Sequence, residues 1–252
     1  MPATGAGVRG LLITGTDTGV GKTILSAALL AALGSEGRPV QAYKPVVTGL
    51  TDPREIAARG EWPPDHELLA SAAGMDPADV APLRYGPAVS PHLAAQLAGE
   101  RIDPQRLLSG ARAAEARIAR AGDGTGTLIV EGVGGLLTPL ADDYTVCDLA
   151  AALGLGVLVA ARPGLGTINH TLLTLRAARC AGLDVRAVIL TPWPRDPMEL
   201  ERSNRETISR LGEVEVAGLE MVASPALDDL AQAGAELVSQ LTWLRPLRPS
   251  PL

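Results

Sequence analysis

The chain has 252 residues, 46% of them hydrophobic and 20% charged, so it is long and apolar enough to bury a large core. A net charge of −6 argues against a nucleic-acid or acidic-membrane surface, which would show clustered Lys and Arg. No window approaches about 18 continuous apolar residues, and the N-terminal stretch lacks the pattern of a secretion signal. We therefore expect a cytoplasmic protein that binds neither membrane nor nucleic acid.

We expect one domain over residues 1–252, because no linker-like or charge-rich segment divides the chain. Residues 1–8 and 245–252 are expected to be flexible tails. The cysteines, Cys147 and Cys180, lie in apolar helical patterns without C-x-x-C spacing, which predicts two buried thiols in a reducing compartment.

Short β-rich runs alternate with amphipathic stretches, the pattern of a mostly parallel sheet with helices on both faces. The predicted strands are apolar almost throughout, as in strands covered on both sides, and cover residues 11–15, 40–44, 127–131, 157–161, 187–191 and 214–219. Helices are predicted at 22–34, 65–74, 104–121, 145–153, 167–181, 197–211 and 226–241. The segment 49–64, with its Pro and Gly residues, is predicted to be a loop above the carboxyl ends of the strands.

The first predicted strand leads into the glycine-rich stretch GTDTGVGKT and then into a helix. This order is the context of a phosphate-binding loop, although five residues rather than four separate Gly15 from Gly21. Backbone N–H groups and the positive end of the helix would bind phosphate. We therefore predict an α/β fold of the P-loop NTPase type. The expected nucleotide contacts in the loop are Gly19, Val20, Gly21, Lys22, Thr23 and Ile24.

Only two lysines occur, Lys22 in this loop and Lys44 at the end of the second predicted strand. One explanation for the scarcity of lysine is a coding bias toward arginine that left two lysines by chance. However, ammonium is a compact point charge, unlike the planar guanidinium of the many arginines, and a lysine buried at the strand end would need an anionic partner. Their placement predicts a cationic pocket next to the γ-phosphate, suited to a second anion.

A magnesium site needs hard oxygen ligands. Thr23 follows Lys22, Glu131 ends the strand TLIVE, and Asp65 opens the helix after the 49–64 segment; these three are the expected ligands. For Asp65, a plain helix N-cap is the alternative. The bare backbone GVGG after Glu131 would admit a ligand closely, so Glu131 and Gly134 are also expected nucleotide contacts.

Five stretches, GTDTGVGKT, YKPVVTG, SPH, EGVGGLLTPL and GLGTINHTLLT, closely resemble the dethiobiotin synthetase family, in the expected order over residues 9–221. The elongated phosphate loop is that family's form. The resemblance implies an ATP- and Mg²⁺-dependent ligase of biotin biosynthesis. One amine of 7,8-diaminononanoate takes up CO₂, the carbamate attacks the γ-phosphate to give a carbamic-phosphoric anhydride, and the second amine closes the ring as phosphate leaves.

The resemblance also implies roles for residues of this chain. Lys22 and Lys44 would be catalytic, bridging carbamate and phosphate, and Thr18 would hold the loop around its anion. Substrate would also meet Thr48, the backbone of Val133 and Gly134 and, from a second subunit, a helix start formed by Leu165, Gly166, Thr167 and Asn169, which implies a homodimer. A core position for Leu165, and helix capping by Thr167 and Asn169, are the alternatives.

The chain departs from the resemblance at Thr191-Pro192-Trp193, where many members have an Asn-Asp pair that reads adenine, so the preferred base stays open. Three other classes of protein are alternatives, and the lysines together with the carboxylates disfavour the first, a pure binding module. Partition-type ATPases place an extra lysine early in the loop, where this chain has Thr16. A cobyrinate-type amidotransferase would need a glutamine-hydrolysing domain, for which we expect no room after residue 221.

Overall fold

The structure is a computed structural model that describes residues 10–121, 126–241 and 243–244. The tails expected at 1–8 and 245–252 lie outside these residues. The strands are β1 (Gly10–Gly15), β2 (Val40–Tyr43), β3 (Val46–Val47), β4 (Leu83–Arg84), β5 (Thr127–Glu131), β6 (Pro139–Ala141), β7 (Tyr144–Thr145), β8 (Gly156–Ala161), β9 (Val185–Trp193) and β10 (Glu215–Glu220). The helices are α1 (Lys22–Ser35), α2 (Pro53–Arg59), α3 (Asp65–Ala73), α4 (Pro77–Val80), α5 (Pro91–Leu97), α6 (Pro104–Ala121), α7 (Val146–Leu153), α8 (Thr167–Cys180), α9 (Glu199–Gly212) and α10 (Leu227–Gln240).

Six strands form one sheet in the order β10, β9, β8, β1, β5, β2, and every neighbouring pair is parallel. Pairs β3–β4 and β6–β7 form two small separate sheets. All six carboxyl ends of the main sheet therefore meet at one edge, where sheets of this kind bind ligands. The predicted α/β fold with a mostly parallel sheet is confirmed.

Helices cover both faces of the sheet, because side chains of each strand alternate between two apolar layers. Leu11 and Ile13 of β1 belong to the apolar layer that includes buried residues of α1, α3 and α10, whereas Leu12 belongs to the layer that includes buried residues of α6, α7, α8 and α9. The contact between α10 and α1 is especially close: a Cβ added at Gly234 would lie 2.0 Å from the carbonyl oxygen of Ala28. This contact fixes the position of α1, the helix that begins at the phosphate loop.

Two predictions made from sequence patterns were wrong. The segment 49–64 is not all loop, since it contains α2, whose N-cap Asp52 accepts hydrogen bonds from the backbone N–H groups of Arg54 and Glu55. Cys147 is buried as predicted, but Cys180 is exposed because it is the last residue of α8, where the helix leaves the sheet. Among the described helices, none has the length and apolar character needed to cross a bilayer.

Candidate active site

A cleft of about 1020 Å³ opens at the carboxyl edge of the sheet. Eleven of the side chains or backbones predicted for the site line it: Thr18, Gly19, Gly21, Lys22, Thr23, Ile24, Lys44, Thr48, Asp65, Val133 and Gly134. Residues that sequence reasoning missed also line it, among them Glu55, Arg59 and Trp62 in or just after α2. The cleft therefore assembles residues that are more than 100 positions apart in the chain.

The loop between β1 and α1 surrounds the N-terminus of α1. Gly19 and Gly21 adopt left-handed backbone conformations with φ of 69° and 91°, which glycine reaches without a Cβ penalty. Gly21 is the N-cap of α1, and no described side chain caps this helix. Its first N–H groups and its positive dipole end thus face the cleft, as an anion site requires. Val20 does not line the cleft, because its side chain is buried under the loop against Gly15.

Lys22 lies at the cleft and is only 7% exposed. Its Nζ donates to the carbonyl oxygen of Asp17, at 2.9 Å. Burial, followed by the nearby positive charge of Lys44, lowers the pKa of Lys22 to about 8. A phosphate group next to it would favour the charged ammonium.

Strand register explains why Lys44 and Glu131 meet. Tyr43 on β2 pairs with Val130 on β5, so the next residues along, Lys44 and Glu131, come opposite each other. Lys44 Nζ lies 2.6 Å from Glu131 Oε1 and 2.5 Å from Asp65 Oδ2. Burial opposes a charged Lys44, but Asp65 and Glu131 outweigh it and raise the pKa of Lys44 above its ordinary value. The buried Lys44 therefore has the anionic partners that its burial requires, and these are the protein's own carboxylates, Asp65 and Glu131.

Asp65 sits at the start of α3, where the N-cap residue is Pro64. The carboxylate of Asp65 contacts Lys44 rather than capping its own helix, which excludes the plain N-cap alternative. Burial would raise the pKa of Asp65, but the Lys44 ammonium overrides this effect and lowers it. Asp65 is therefore held as a charged carboxylate at the cleft.

The three expected metal ligands converge on one point. Thr23 Oγ1 donates to Glu131 Oε1 at 2.8 Å, and Asp65 reaches the same Lys44 ammonium as Glu131. Glu131 is 1% exposed, and its Oε2 has no hydrogen-bond partner among the described residues. Within the described residues no group of three or more His, Cys, Asp or Glu side chains could hold a metal. One hydroxyl and two carboxylates instead fit Mg²⁺, which usually takes one or two carboxylates together with phosphate oxygens.

Thr48, Val133 and Gly134 form another part of the cleft wall. The Gly134 turn is closed by Thr138, whose Oγ1 accepts a hydrogen bond from the N–H of Gly135 at 2.9 Å. A Cβ at Gly134 would lie 2.5 Å from that Oγ1. The turn itself therefore requires glycine at position 134, in the stretch after Glu131 that was predicted to lack side chains.

The start of α8 lies outside this cleft. Leu165 is 93% exposed, and α8 has Gly166 as N-cap without a side-chain cap. Thr167 is buried and its Oγ1 is 3.4 Å from Thr171 Oγ1. The alternatives of a core Leu165, and of helix capping by Thr167 or Asn169, are therefore wrong.

The far end of the cleft is lined by Thr191, Pro192 and the segment 220–223. Thr191 is buried against Gly21 of the loop. Trp193 does not line the cleft: its ring packs on Gly218, and the Arg205 guanidinium lies 5.5 Å from the ring centre. A further loop contact that the sequence did not reveal is Arg162, which donates to the Gly19 carbonyl oxygen at 3.0 Å.

The site combines a glycine-rich loop between a strand and a helix, a lysine that reaches into the cleft, and carboxylates at the carboxyl edge of a parallel sheet. This combination defines a P-loop nucleotide-binding protein. Curated relatives described as ATP-dependent dethiobiotin synthetases align over most of the chain, at 40%, 35% and 44% identity in three examples. The chain belongs to the dethiobiotin synthetase family, and the predicted ligase class is confirmed.

The three examples come from different bacteria. The relative from Anaeromyxobacter sp. (strain Fw109-5) matches over 82% of this chain and 91% of its own. That from Bacillus subtilis (strain 168) matches over 84% and 87%, and that from Caulobacter sp. (strain K31) over 72% and 75%. A family model described as an AAA domain matches residues 9–224. Among solved structures, the Pyrococcus furiosus cell division ATPase MinD aligns with a TM-score of 0.49 and 18% identity, over 93% of this chain and 99% of that one.

Proposed function

We propose that this chain is an ATP- and Mg²⁺-dependent dethiobiotin synthetase of biotin biosynthesis, which closes 7,8-diaminononanoate and CO₂ into a cyclic urea. The observation that carries the proposal is the buried ammonium of Lys44 on the wall of the P-loop cleft that also holds Lys22. A second anion activated next to the γ-phosphate would need a cation besides the loop lysine, and Lys44 would supply it. Family membership supports the same activity.

The nucleotide would bind with its phosphates in the loop between Gly19 and Ile24, where backbone N–H groups and the start of α1 attract negative charge. Thr23, Asp65 and Glu131 would hold Mg²⁺, and Glu131 and Gly134 would border the nucleotide. When bound, Mg²⁺ supplies neutralisation of phosphate charge. ATP is the expected co-substrate, and the preferred base stays open because Thr191 and Pro192 line the far end of the cleft in place of an Asn-Asp pair.

The lysine pair accounts for the chemistry. An amine of the diamine adds to CO₂ and loses a proton to give a carbamate. A carbamate oxygen then attacks the γ-phosphorus, the bond to the β-phosphate oxygen breaks, and ADP leaves. The second amine attacks the carbamoyl carbon and expels phosphate as the ring closes. Lys22 and Lys44 would stabilise the two anions that must meet, because fixed charges already in place need no reorganisation.

The diamine would lie along Thr48, Val133 and Gly134, with Thr18 at the mouth of the cleft. Its carboxylate tail would reach the start of α8 in a second subunit, at Leu165, Gly166, Thr167 and Asn169. The exposure of Leu165 supports this arrangement, since an apolar side chain 93% exposed beside an uncapped helix start suits a shared site. We thus propose a homodimer, and a single cytoplasmic domain.

The activity is tested by incubating purified protein with 7,8-diaminononanoate, bicarbonate and Mg-ATP, measuring phosphate release and detecting the product by mass spectrometry. We expect phosphate release that depends on the diamine. Lys44→Ala should lower kcat by roughly 10²–10³, the scale of one preorganised donor. Hydrolysis that is independent of the diamine would contradict the proposal. The same assay with other nucleoside triphosphates measures base preference.

The shared site is tested by complementation between subunits. Leu165→Asp should abolish turnover, whereas Leu173→Asp, a change at an exposed leucine within α8, should leave it unchanged. Mixing inactive Leu165→Asp and Lys44→Ala chains after unfolding and refolding should restore activity to about a quarter of wild type, because each heterodimer has one intact site. Absence of restored activity would exclude a site built from two subunits.

A further inference from the structure

Lys44 contacts the same oxygens that we assign to Mg²⁺. Its Nζ lies 2.5 Å from Asp65 Oδ2 and 2.6 Å from Glu131 Oε1, and Glu131 Oε1 also accepts the hydrogen bond of Thr23. All three expected metal ligands are thus directed at, or linked to, one protein cation. Among the described residues, Lys44 is the only cation within ion-pair distance of Asp65 or Glu131.

The Glu131 carboxylate needs a positive charge nearby. Glu131 is 1% exposed, and a carboxylate buried to that degree is unfavourable unless it is paired. Lys44 is itself 4% exposed and has two carboxylate partners but no described anion beyond them. The backbone of Lys44 is fixed, since its N–H donates to the Val80 carbonyl oxygen at 2.9 Å, so any movement of the ammonium must come from the side chain.

Glu131 Oε1 already accepts hydrogen bonds from Thr23 Oγ1 and Lys44 Nζ, so a divalent cation that binds this oxygen competes with them. A metal at about 2.1 Å from that oxygen would lie within a few ångströms of the ammonium, where like charges repel strongly. Lys44 also lines the cleft, so its side chain has open space to move into.

We propose that Lys44 is the internal counter-ion of the Asp65–Glu131 pair and that a divalent cation displaces it into the cleft. The proposal rests on the proposed function for the identity of the metal ligands. It deepens that function by giving the order of events: metal binding releases the ammonium, and the released ammonium then meets the second anion. The diamine-derived anion would therefore bind productively only after the metal.

Metal affinity without nucleotide tests the competition directly. Mn²⁺ binding, followed by electron paramagnetic resonance, should be at least about tenfold tighter in Lys44→Met than in wild type, because one neighbouring charge changes the affinity for an ion by one to three powers of ten. Lys44→Arg, which keeps the charge, should bind Mn²⁺ like wild type. Lys22→Met is the comparison variant: Lys22 donates to the Asp17 carbonyl and pairs with neither carboxylate, although its charge acts on both, so its removal should tighten Mn²⁺ binding less than Lys44→Met does. Equal or weaker Mn²⁺ binding in Lys44→Met would overturn the proposal.

A second measurement uses the unaltered chain, in case Lys44→Met does not fold. The sequence contains only two lysines, so acylation by a low concentration of acetic anhydride can be assigned to each by mass spectrometry. Mn²⁺ should speed the acylation of Lys44, and this effect should be lost in Glu131→Gln. A Lys44 labelling rate that Mn²⁺ leaves unchanged or lowers would overturn the proposal. Neither experiment involves the diamine or turnover, so each can fail while the proposed enzymatic activity stands.

Discussion

Two helical glycines should respond to alanine in opposite directions. A Cβ at Gly234 in α10 would lie 2.0 Å from the oxygen and 2.6 Å from the carbon of the Ala28 carbonyl in α1. The obstacle is backbone, so the two helices must separate by more than about 1 Å, as in an overpacked core. A Cβ at Gly34 in α1 would meet only Val40 Cγ2, at an ordinary 3.6 Å.

The magnitudes follow from these contacts. Overpacking costs about 1–3 kcal/mol, and replacing a helical Gly by Ala returns about 0.5–1 kcal/mol. Because the Ala28 carbonyl cannot move aside, we expect Gly234→Ala to lose about 2 kcal/mol of unfolding free energy. This loss corresponds to a melting temperature about 4–8 °C lower for a domain of this size. Gly34→Ala introduces no clash and keeps only the higher helix propensity of alanine, so its unfolding free energy should rise by up to about 1 kcal/mol.

Urea unfolding and calorimetry measure both variants, and nucleotide affinity serves as a check that α1 still presents its loop. Gly34→Ala should bind nucleotide like wild type. If Gly234→Ala were as stable as wild type, or if both variants shifted in the same direction, the close packing of α10 on α1 would be refuted.

Three further predictions concern the described parts of the chain away from the cleft. Glu213 has a positive φ of 45°, so Glu213→Gly should raise the unfolding free energy in urea by about 0.5–1 kcal/mol, and a loss would contradict this reasoning. Burial raises the pKa of the Cys147 thiol, whereas Cys180 is exposed, so Ellman's reagent should titrate one thiol in the native protein and none in Cys180→Ser; two fast thiols would refute the assignment. Hydrogen bonds from Thr145 lower the pKa of Asp148 below 3.8. The ionised carboxylate therefore stabilises the fold above that pH, and this stabilisation is lost as the pH falls through the lowered pKa. The stability difference between wild type and Asp148→Asn should therefore shrink in unfolding curves as the pH falls below 3.8, and a constant difference would exclude the mechanism.

The sheet could be predicted from the sequence because its strands are apolar almost throughout and lie between clear turn signals. The helix α2 could not, since none of its residues is buried and no apolar face marks it in the sequence. Only the Asp52-Pro53 pair, a helix-start signal, pointed to it. The exposed position of Cys180 was missed for a similar reason, because an apolar pattern does not reveal where a helix leaves the core.

The candidate site was predictable to the extent that it follows strand ends. Lys44 and Glu131 each end or follow a strand, and both were expected at the same edge of the sheet. Their mutual contact depends on β2 lying beside β5 in one particular register, across 87 residues of sequence. No pattern of neighbouring residues in the sequence predicts how these two strands are aligned. The sequence therefore predicted a buried lysine with an anionic partner but assigned the partner to the substrate.

The parallel arrangement of the main sheet leaves its opposite edge free of the proposed chemistry. Three turns from helix to strand at that edge contain Gly37, Gly154 and Gly182, and a Cβ at any of them would meet nothing within 4 Å. A fluorescent reporter or an affinity peptide grafted into one of these turns would sit a full strand length from the cleft. Such a graft would allow the protein to be immobilised in a single orientation, with its ligand-binding edge facing the solution.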